Sequence, residues 1–216
     1  MTHCRSSFPG LLELWKMGLA EQRHGHPFRI RYMIPLVAGA ALLNRLTGLE
    51  DRIKVHQGNA LALPFPDATF DVVWMQNVGM NIADKRKLYG EIFRVLKPSG
   101  VFTCYDWMKP EGEYSEDMRY WFEMERLTYA MKTFPEYEAL LRDAGFTEIE
   151  MKDHSDWYRR QVQEEYEKMK SELYPRMVEL LGQQEADHFV ENWRAMKVVC
   201  VKGDVCQGYY RGRKPA

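Results

Sequence analysis

Between Asp71 and Trp107 the chain passes from one unbroken apolar stretch through an amphipathic helix into another, and few folds admit that order. DVVWM (Asp71–Met75) lacks polar alternation, as expected of a strand covered on both faces. Asp84 stands where a helix N-cap belongs, and Leu88, Ile92, Phe93 and Leu96 fall on one side of the helix it would start. Lys97-Pro98-Ser99-Gly100 stops that helix, and VFTCYDW (Val101–Trp107) follows as a second apolar strand. Strand, helix and strand at this spacing make a βαβ unit, which predicts a parallel sheet and an α/β fold.

The flanks are less regular. IKVHQG (Ile53–Gly58) alternates as a half-buried strand does, and LPFPDATF (Leu63–Phe70) reads as a turn. Phe28–Val37 has strand-like composition interrupted by Pro35, Gly39–Leu46 has helical character, and residues 11–22 suit a short helix. Downstream, residues 108–134 are charged, aromatic-rich and read as helical. Phe134–Phe146 is an amphipathic helix with Gly145 just past its end, and Thr147–Ser155 is a strand. Gln161–Leu181, interrupted at Pro175, and Gln184–Val201 are helical, and VCQGYYRGRK closes the chain as a strand. The layout is an atypical lead segment, 1–37, and an α/β domain, 38–216, with helical insertions over about 108–134 and 156–201.

Charge and cysteine placement narrow the partners. Lys and Arg total 30 against 31 Asp and Glu, which argues against a nucleic-acid-coating surface or a polybasic membrane anchor. The balance hides a basic lead: residues 1–37 carry Arg5, Lys16, Arg23, Arg29 and Arg31 against Glu13 and Glu21. No run of about 18 apolar residues occurs, so no membrane span is expected. Cys4, Cys104, Cys200 and Cys206 lie far apart, and read as the reduced thiols of a cytoplasmic protein. His24-Gly25-His26 lacks a third ligand nearby and reads as a loop, so no metal site is expected.

In open parallel sheets, ligands bind beyond the carboxyl ends of the strands. Those positions here are Gly58-Asn59-Ala60, Gln76–Asn81 and Tyr105-Asp106-Trp107. Around them lie Asn-Ala after a strand, L-P-F, F-D-V-V-W, a helix ending in L-K-P-x-G, and another strand. In that order the stretch resembles the middle of a class I S-adenosylmethionine-dependent methyltransferase. DWMKPEGEYS, LTYAMKTFPEYEALLRDAGF, DHSDWYRRQVQEEYEKMKSELYP and GYYRGRK resemble the phosphoethanolamine and glycine/sarcosine/dimethylglycine N-methyltransferases. The resemblance implies S-adenosylmethionine as cofactor, a small amine as substrate, and a helical insertion that caps it.

Carried over residue by residue, the resemblance places Asn59 where the family has an Asp that accepts from the adenine amino group. An amide oxygen can also accept, without charge assistance. Ala60 would offer its backbone N–H to the ring, with Leu61 beside it, and Gln76 would lie against the methionine end. Asn77 falls where the phosphoethanolamine enzymes have an Asp, and Asn81 where they have a catalytic His; with Asp106 at a strand end these form the candidate catalytic set. Neither Asn acts as a base near neutral pH. Tyr129 matches a phenol of the family's substrate pocket, and Arg211 stands where those enzymes offer a Lys to the substrate phosphate. Tyr105 and Trp107 suit an ammonium by cation–π attraction.

Upstream of VAGAALLNRLTGLEDR the likeness stops. The family's first strand ends in an acid-x-Gly-x-Gly loop and its second in an acid for the ribose hydroxyls. Here no G-x-G occurs in the first 60 residues, and no acid lies between Glu21 and Glu50. The expected fold is therefore a truncated Rossmann-like methyltransferase sheet with a helical cap insertion. Its FDVVW strand would keep an exposed apolar edge of the kind that pairs with another chain, which predicts a homodimer, unless Phe28–Ile34 fills the gap. Two readings stay open. One is an N-methyltransferase for a small amine whose cofactor site the lead segment or a partner subunit completes. The other is a non-catalytic relic of that fold, kept as a dimeric binding or structural module.

Overall fold

The computed structural model describes the backbone from residue 28 and side chains from residue 37 onward, leaving out Arg126 and Thr128. The expected helix over 11–22 and the His24–His26 loop lie outside the described residues. The chain divides into two compact units, Met1–Pro64 and Phe65–Ala216.

In the first unit, helix α1 spans Phe28–Leu46, which corrects the strand-like reading of Phe28–Val37. A strand needs a neighbour to pair its backbone, whereas a helix pairs it within the segment and here tolerates the one N–H that Pro35 lacks. Gly48 ends the helix in the left-handed region at φ +66°. Its N–H donates to the Arg45 carbonyl and that of Leu49 to the Asn44 carbonyl, a closing pattern that favours glycine. Ile53–Gly58, expected as a strand, is irregular and joins no described sheet. Its alternation had no ladder to act on.

The second unit runs β1 (Phe70–Gln76), a 3-10 turn (Gly79–Asn81), α2 (Lys85–Val95), β2 (Leu96–Met108), α3 (Glu116–Glu125) and α4 (Phe134–Asp143). It continues through β3 (Thr147–Asp153), α5 (Ser155–Lys170), α6 (Tyr174–Leu181), α7 (Gln183–Lys202) and β4 (Cys206–Arg213). The strand order is β1-β2-β4-β3. β1 and β2 are the expected parallel pair, with Gln76 opposite Tyr105. β4 slots between β2 and β3, antiparallel to both, which corrects the all-parallel expectation. The βαβ argument covers β1, α2 and β2 alone; β4 arrives after three helices and runs back the other way.

Local signals explain the helix ends. The Asp84 carboxylate accepts the Lys87 N–H at 3.0 Å. α4 opens on a reciprocal Thr133–Glu136 capping box, and Gly145 follows it at φ +99°. Among the described residues of the insertion over 108–134, only Glu116–Glu125 is helical before α4 begins. Pro175 sits in the first turn of α6, where its missing N–H is no loss.

α2 and α4 cover one face of the sheet. Leu88, Tyr89, Ile92, Tyr137 and Leu141 are buried there with Phe102, Cys104 and Tyr210. On the other face of β1, Val72 and Trp74 remain 53% and 57% exposed, and among the described residues β1 has a strand neighbour on one side only. A second core joins Trp107, at the end of β2, to Met118, Trp121, Tyr129, Val162, Met196 and Val199. It sits among α3, α5 and α7, so the cap is anchored where the strands end. No described helix is long and apolar enough to cross a membrane.

Candidate active site at the carboxyl ends of the strands

The parallel pairing of β1 and β2 brings their carboxyl ends together. Gln76, the last residue of β1, is exposed there. Asn77 continues the ladder by one bond, its N–H donating to the Tyr105 carbonyl at 2.9 Å. It then turns the chain at φ +50°, a conformation that asparagine tolerates better than most residues. The 3-10 turn that follows carries Asn81, half-buried, at its end.

That turn is held by buried charged groups on two sides. Asp106 is fully buried; its Oδ2 accepts the Met80 N–H at 3.0 Å and its Oδ1 the Trp107 N–H at 2.9 Å. Burial pushes its carboxyl up to about 7, although these N–H groups and Lys85 oppose the rise. Lys85, also buried, donates from Nζ to the Gly79 carbonyl at 2.7 Å and to the Ile82 carbonyl. Gly79 leaves no room for a side chain: a Cβ would lie 2.6 Å from Asp106 Oδ2. The Met80 carbonyl accepts the Ala130 N–H at 2.7 Å, tying the turn to the segment that carries Tyr129.

Aromatic groups crowd the same end of β2. The Trp107 ring lies 4.9 Å from Trp121, 5.8 Å from Tyr129 and 6.4 Å from Tyr158. Burial raises the Tyr129 and Tyr158 phenols well above their ordinary values, with Glu125 and Glu165 adding to the effect. The Tyr105 hydroxyl, the Trp107 indole N–H and the Gln207 side-chain carbonyl are buried without hydrogen-bond partners. Gln207 lies opposite Trp107 in the β4 ladder and donates from Nε2 to the Asp106 carbonyl at 3.1 Å. Unpaired polar atoms in a core cost about 1–3 kcal/mol each, so such a group has the character of a site for polar ligand atoms.

The structure therefore gathers Gln76, Asn77, Asn81, Tyr105, Asp106, Trp107 and Tyr129 at one end of the second unit. It sets Arg211 apart. That residue pairs with Thr103 in the ladder, four positions along β4 from Gln207, or about 13 Å, and its exposed guanidinium is bonded to Glu150. In the first unit, the Asn59 side-chain oxygen accepts the Leu61 N–H at 2.9 Å, and Ala62 bonds back to the Asn59 carbonyl. Lys85 and Gln207 were missed by sequence reasoning; a lysine one residue after an N-cap and a glutamine in a short strand carry no local mark of burial. A groove of about 780 Å³ between α5 and α7, lined by Glu164, Lys168, Lys197 and Val201 among others, lies away from the strand ends. Among the described residues no cluster of three or more metal-ligating side chains occurs.

Comparison with known proteins agrees with this geometry. The family described as Methyltransferase domain matches residues 32–104. Phosphoethanolamine N-methyltransferase 1 of Arabidopsis thaliana is 23% identical over 200 residues, which is 91% of this chain and 39% of that protein. 24-Methylenesterol C-methyltransferase 2 of Oryza sativa subsp. japonica is 42% identical over 65 residues, 30% of this chain and 18% of that one. The chain thus spans about two fifths of the first relative and one fifth of the second. Among solved structures, Haemonchus contortus phosphoethanolamine N-methyltransferase 2, in complex with phosphomonomethylethanolamine and S-adenosylhomocysteine, superposes with a TM-score of 0.73. It is 21% identical, covering 82% of this chain and 41% of that one. The [4+2]-cyclase SpnF matches with a TM-score of 0.66 at 23% identity, over 83% of this chain and 62% of that one. Residues 32–104 thus match a methyltransferase domain family, and the mixed α/β sheet has the fold of the solved methyltransferase structures.

Proposed function

We propose that this chain belongs to an S-adenosylmethionine-dependent methyltransferase that acts on the nitrogen of a small amine. The observation that carries this reading is the set of unpartnered polar atoms of Tyr105, Trp107 and Gln207, ringed by aromatic side chains, where β1 and β2 end. The relatives named above as phosphoethanolamine N-methyltransferases support it. The cofactor would supply an electrophilic methyl group on sulfur. The amine nitrogen would take that methyl group through its lone pair, the C–S electron pair staying on sulfur, and the ammonium product would shed a proton to water. The residues' part is alignment. Gln76 would face the cofactor's methionine end, Tyr105, Trp107 and Tyr129 would enclose the amine by cation–π contact, and Asn77 and Asn81 would hold it by hydrogen bonds.

The reading extends to a homodimer in a reducing compartment. β1 has one open edge among the described residues, with Val72 and Trp74 exposed beside it, and a second copy would cover both. A monomer by sedimentation at micromolar concentration removes this part.

Calorimetric titration with S-adenosylmethionine and S-adenosylhomocysteine tests the main claim. Binding tighter than about 100 μM, roughly −5.5 kcal/mol, supports it, and Asn59→Asp should then tighten the affinity. No heat at millimolar ligand defeats it. One observation favours a second reading, a binding module without turnover. Asp106 is the one carboxylic acid among the candidate residues, and it is fully buried with both oxygens on backbone N–H groups. Tight binding of S-adenosylhomocysteine with no methylation of phosphoethanolamine, ethanolamine or glycine would select that reading.

A further inference from the structure

The turn between β1 and α2 bears Asn77 at its entry and Asn81 at its exit, and several of the backbone groups that fix it end on buried charged residues or on the cap. The Met80 N–H goes to Asp106 Oδ2 at 3.0 Å and the Met80 carbonyl accepts from Ala130 at 2.7 Å. The Gly79 carbonyl accepts from Lys85 Nζ at 2.7 Å and from the Ile82 N–H at 2.9 Å; Lys85 also takes the Ile82 carbonyl. Burying an ammonium and a carboxylate is expensive unless each is compensated. Here they compensate one another across a single turn of backbone rather than by touching as an ion pair. A surface turn would need neither.

We propose that Lys85 and Asp106 are positioning residues that clamp the Gly79–Asn81 turn from opposite sides. Asp106 through Met80, and Lys85 through Gly79 and Ile82, set where Asn81 and the Tyr129 segment stand at the strand ends. The functional weight of the clamp rests on the methyltransferase reading; the clamp itself does not. It predicts a link to pH, because opening the turn hydrates Asp106, and the ionised carboxyl gains more from water than the protonated one. The titratable and charged groups facing Asp106 are Lys85 and Tyr89 from α2, Cys104 from β2, Tyr137 from α4 and Tyr210 from β4. Burial raises the Cys104 thiol and the three phenols well above their ordinary values, which leaves Asp106 as the group that changes charge near neutrality.

Amide hydrogen exchange followed by nuclear magnetic resonance tests the clamp on the full chain without any ligand. In the wild type, the protection of Met80, corrected for intrinsic rates, should fall as pH passes through about 7. Asp106→Asn should abolish that step. Lys85→Met should lose about tenfold or more of the protection at Met80 and Ile82 while Ile92 in α2 and Phe102 in β2 keep theirs, and Lys85→Arg should restore most of it. A Met80 amide indifferent to pH, or a loss in Lys85→Met spread evenly over the fold, overturns the proposal; the wild-type series decides even if a variant does not fold. Calorimetry with S-adenosylhomocysteine separates the two claims. A wild type that does not bind it defeats the methyltransferase reading and leaves the exchange result to judge the clamp.

Discussion

The hydroxyl of Tyr89 on α2 meets the hydroxyl of Tyr210 on β4 at 2.8 Å, in a part of the core closed to solvent. The bond joins the βαβ half of the sheet to its last strand. Removing one partner strands the other. Tyr89→Phe should therefore cost about 1–3 kcal/mol by urea denaturation, and the Tyr89→Phe/Tyr210→Phe pair less than the sum of the two singles. Additive losses would mean that the two hydroxyls do not depend on one another.

Two glycines should respond to alanine with opposite signs. At Gly79 a methyl group would meet Asp106 Oδ2 at 2.6 Å and Met75 Cε at 2.8 Å; the methionine can move, but the hydrogen-bonded carboxylate cannot move freely. Gly79→Ala should destabilise by about 1–3 kcal/mol. Gly90 lies inside α2 with nothing within 4 Å of the added methyl, so Gly90→Ala should stabilise by about 0.5–1 kcal/mol. Urea midpoints of both variants check the pair of signs.

Asp106 makes stability depend on pH in an unusual direction. Its carboxyl rises from 3.8 to about 7 on folding, so between those values the folded chain binds more protons than the unfolded one. Stability from this group is then fully present below about pH 4 and lost as pH rises toward 7. The surface carboxylate Glu136, lowered chiefly by the Thr133 N–H, acts in the opposite sense at lower pH. Subtracting the profile of Asp106→Asn from that of the wild type isolates the slope; a flat difference between about pH 4 and pH 7 would refute the assignment.

Arg211 supplies a test of specificity. Its ion pair with Glu150 joins two side chains that are 47% and 51% exposed, so Arg211→Ala should change stability by less than about 1 kcal/mol. If the guanidinium stays with Glu150, the calorimetric affinity for phosphoethanolamine is the same in Arg211→Ala as in the wild type. A loss of about tenfold, or 1.4 kcal/mol, would instead assign Arg211 to the substrate phosphate.

Much of the second unit was legible residue by residue. Asp84, Thr133 with Glu136, and Gly145 announce the ends of α2 and α4, because capping is settled by atoms within four residues of one another. The apolar runs at Asp71–Met75 and Val101–Trp107 announce their strands, and the helix between them announces a parallel pair. Site placement was legible only in part. The rule of strand ends put Gln76, Asn77, Tyr105 and Trp107 at the carboxyl ends of β1 and β2, where they stand, but it is blind to depth, and so could not distinguish an accessible Asp106 from a buried one.

What the sequence determined by itself was local: where helices cap, which stretches suit a strand, and that β1, α2 and β2 form one crossover unit. The tertiary structure alone decided that Ile53–Gly58 joins no described sheet, and that β4 runs antiparallel between β2 and β3. It also decided that Lys85 and Asp106 are buried on either side of one turn. The physical reason is the range of the interactions. A helix and its caps are satisfied by near neighbours, whereas a strand, a buried charge and an unpaired polar atom are defined by partners that lie tens of residues away and reach them only in the folded chain.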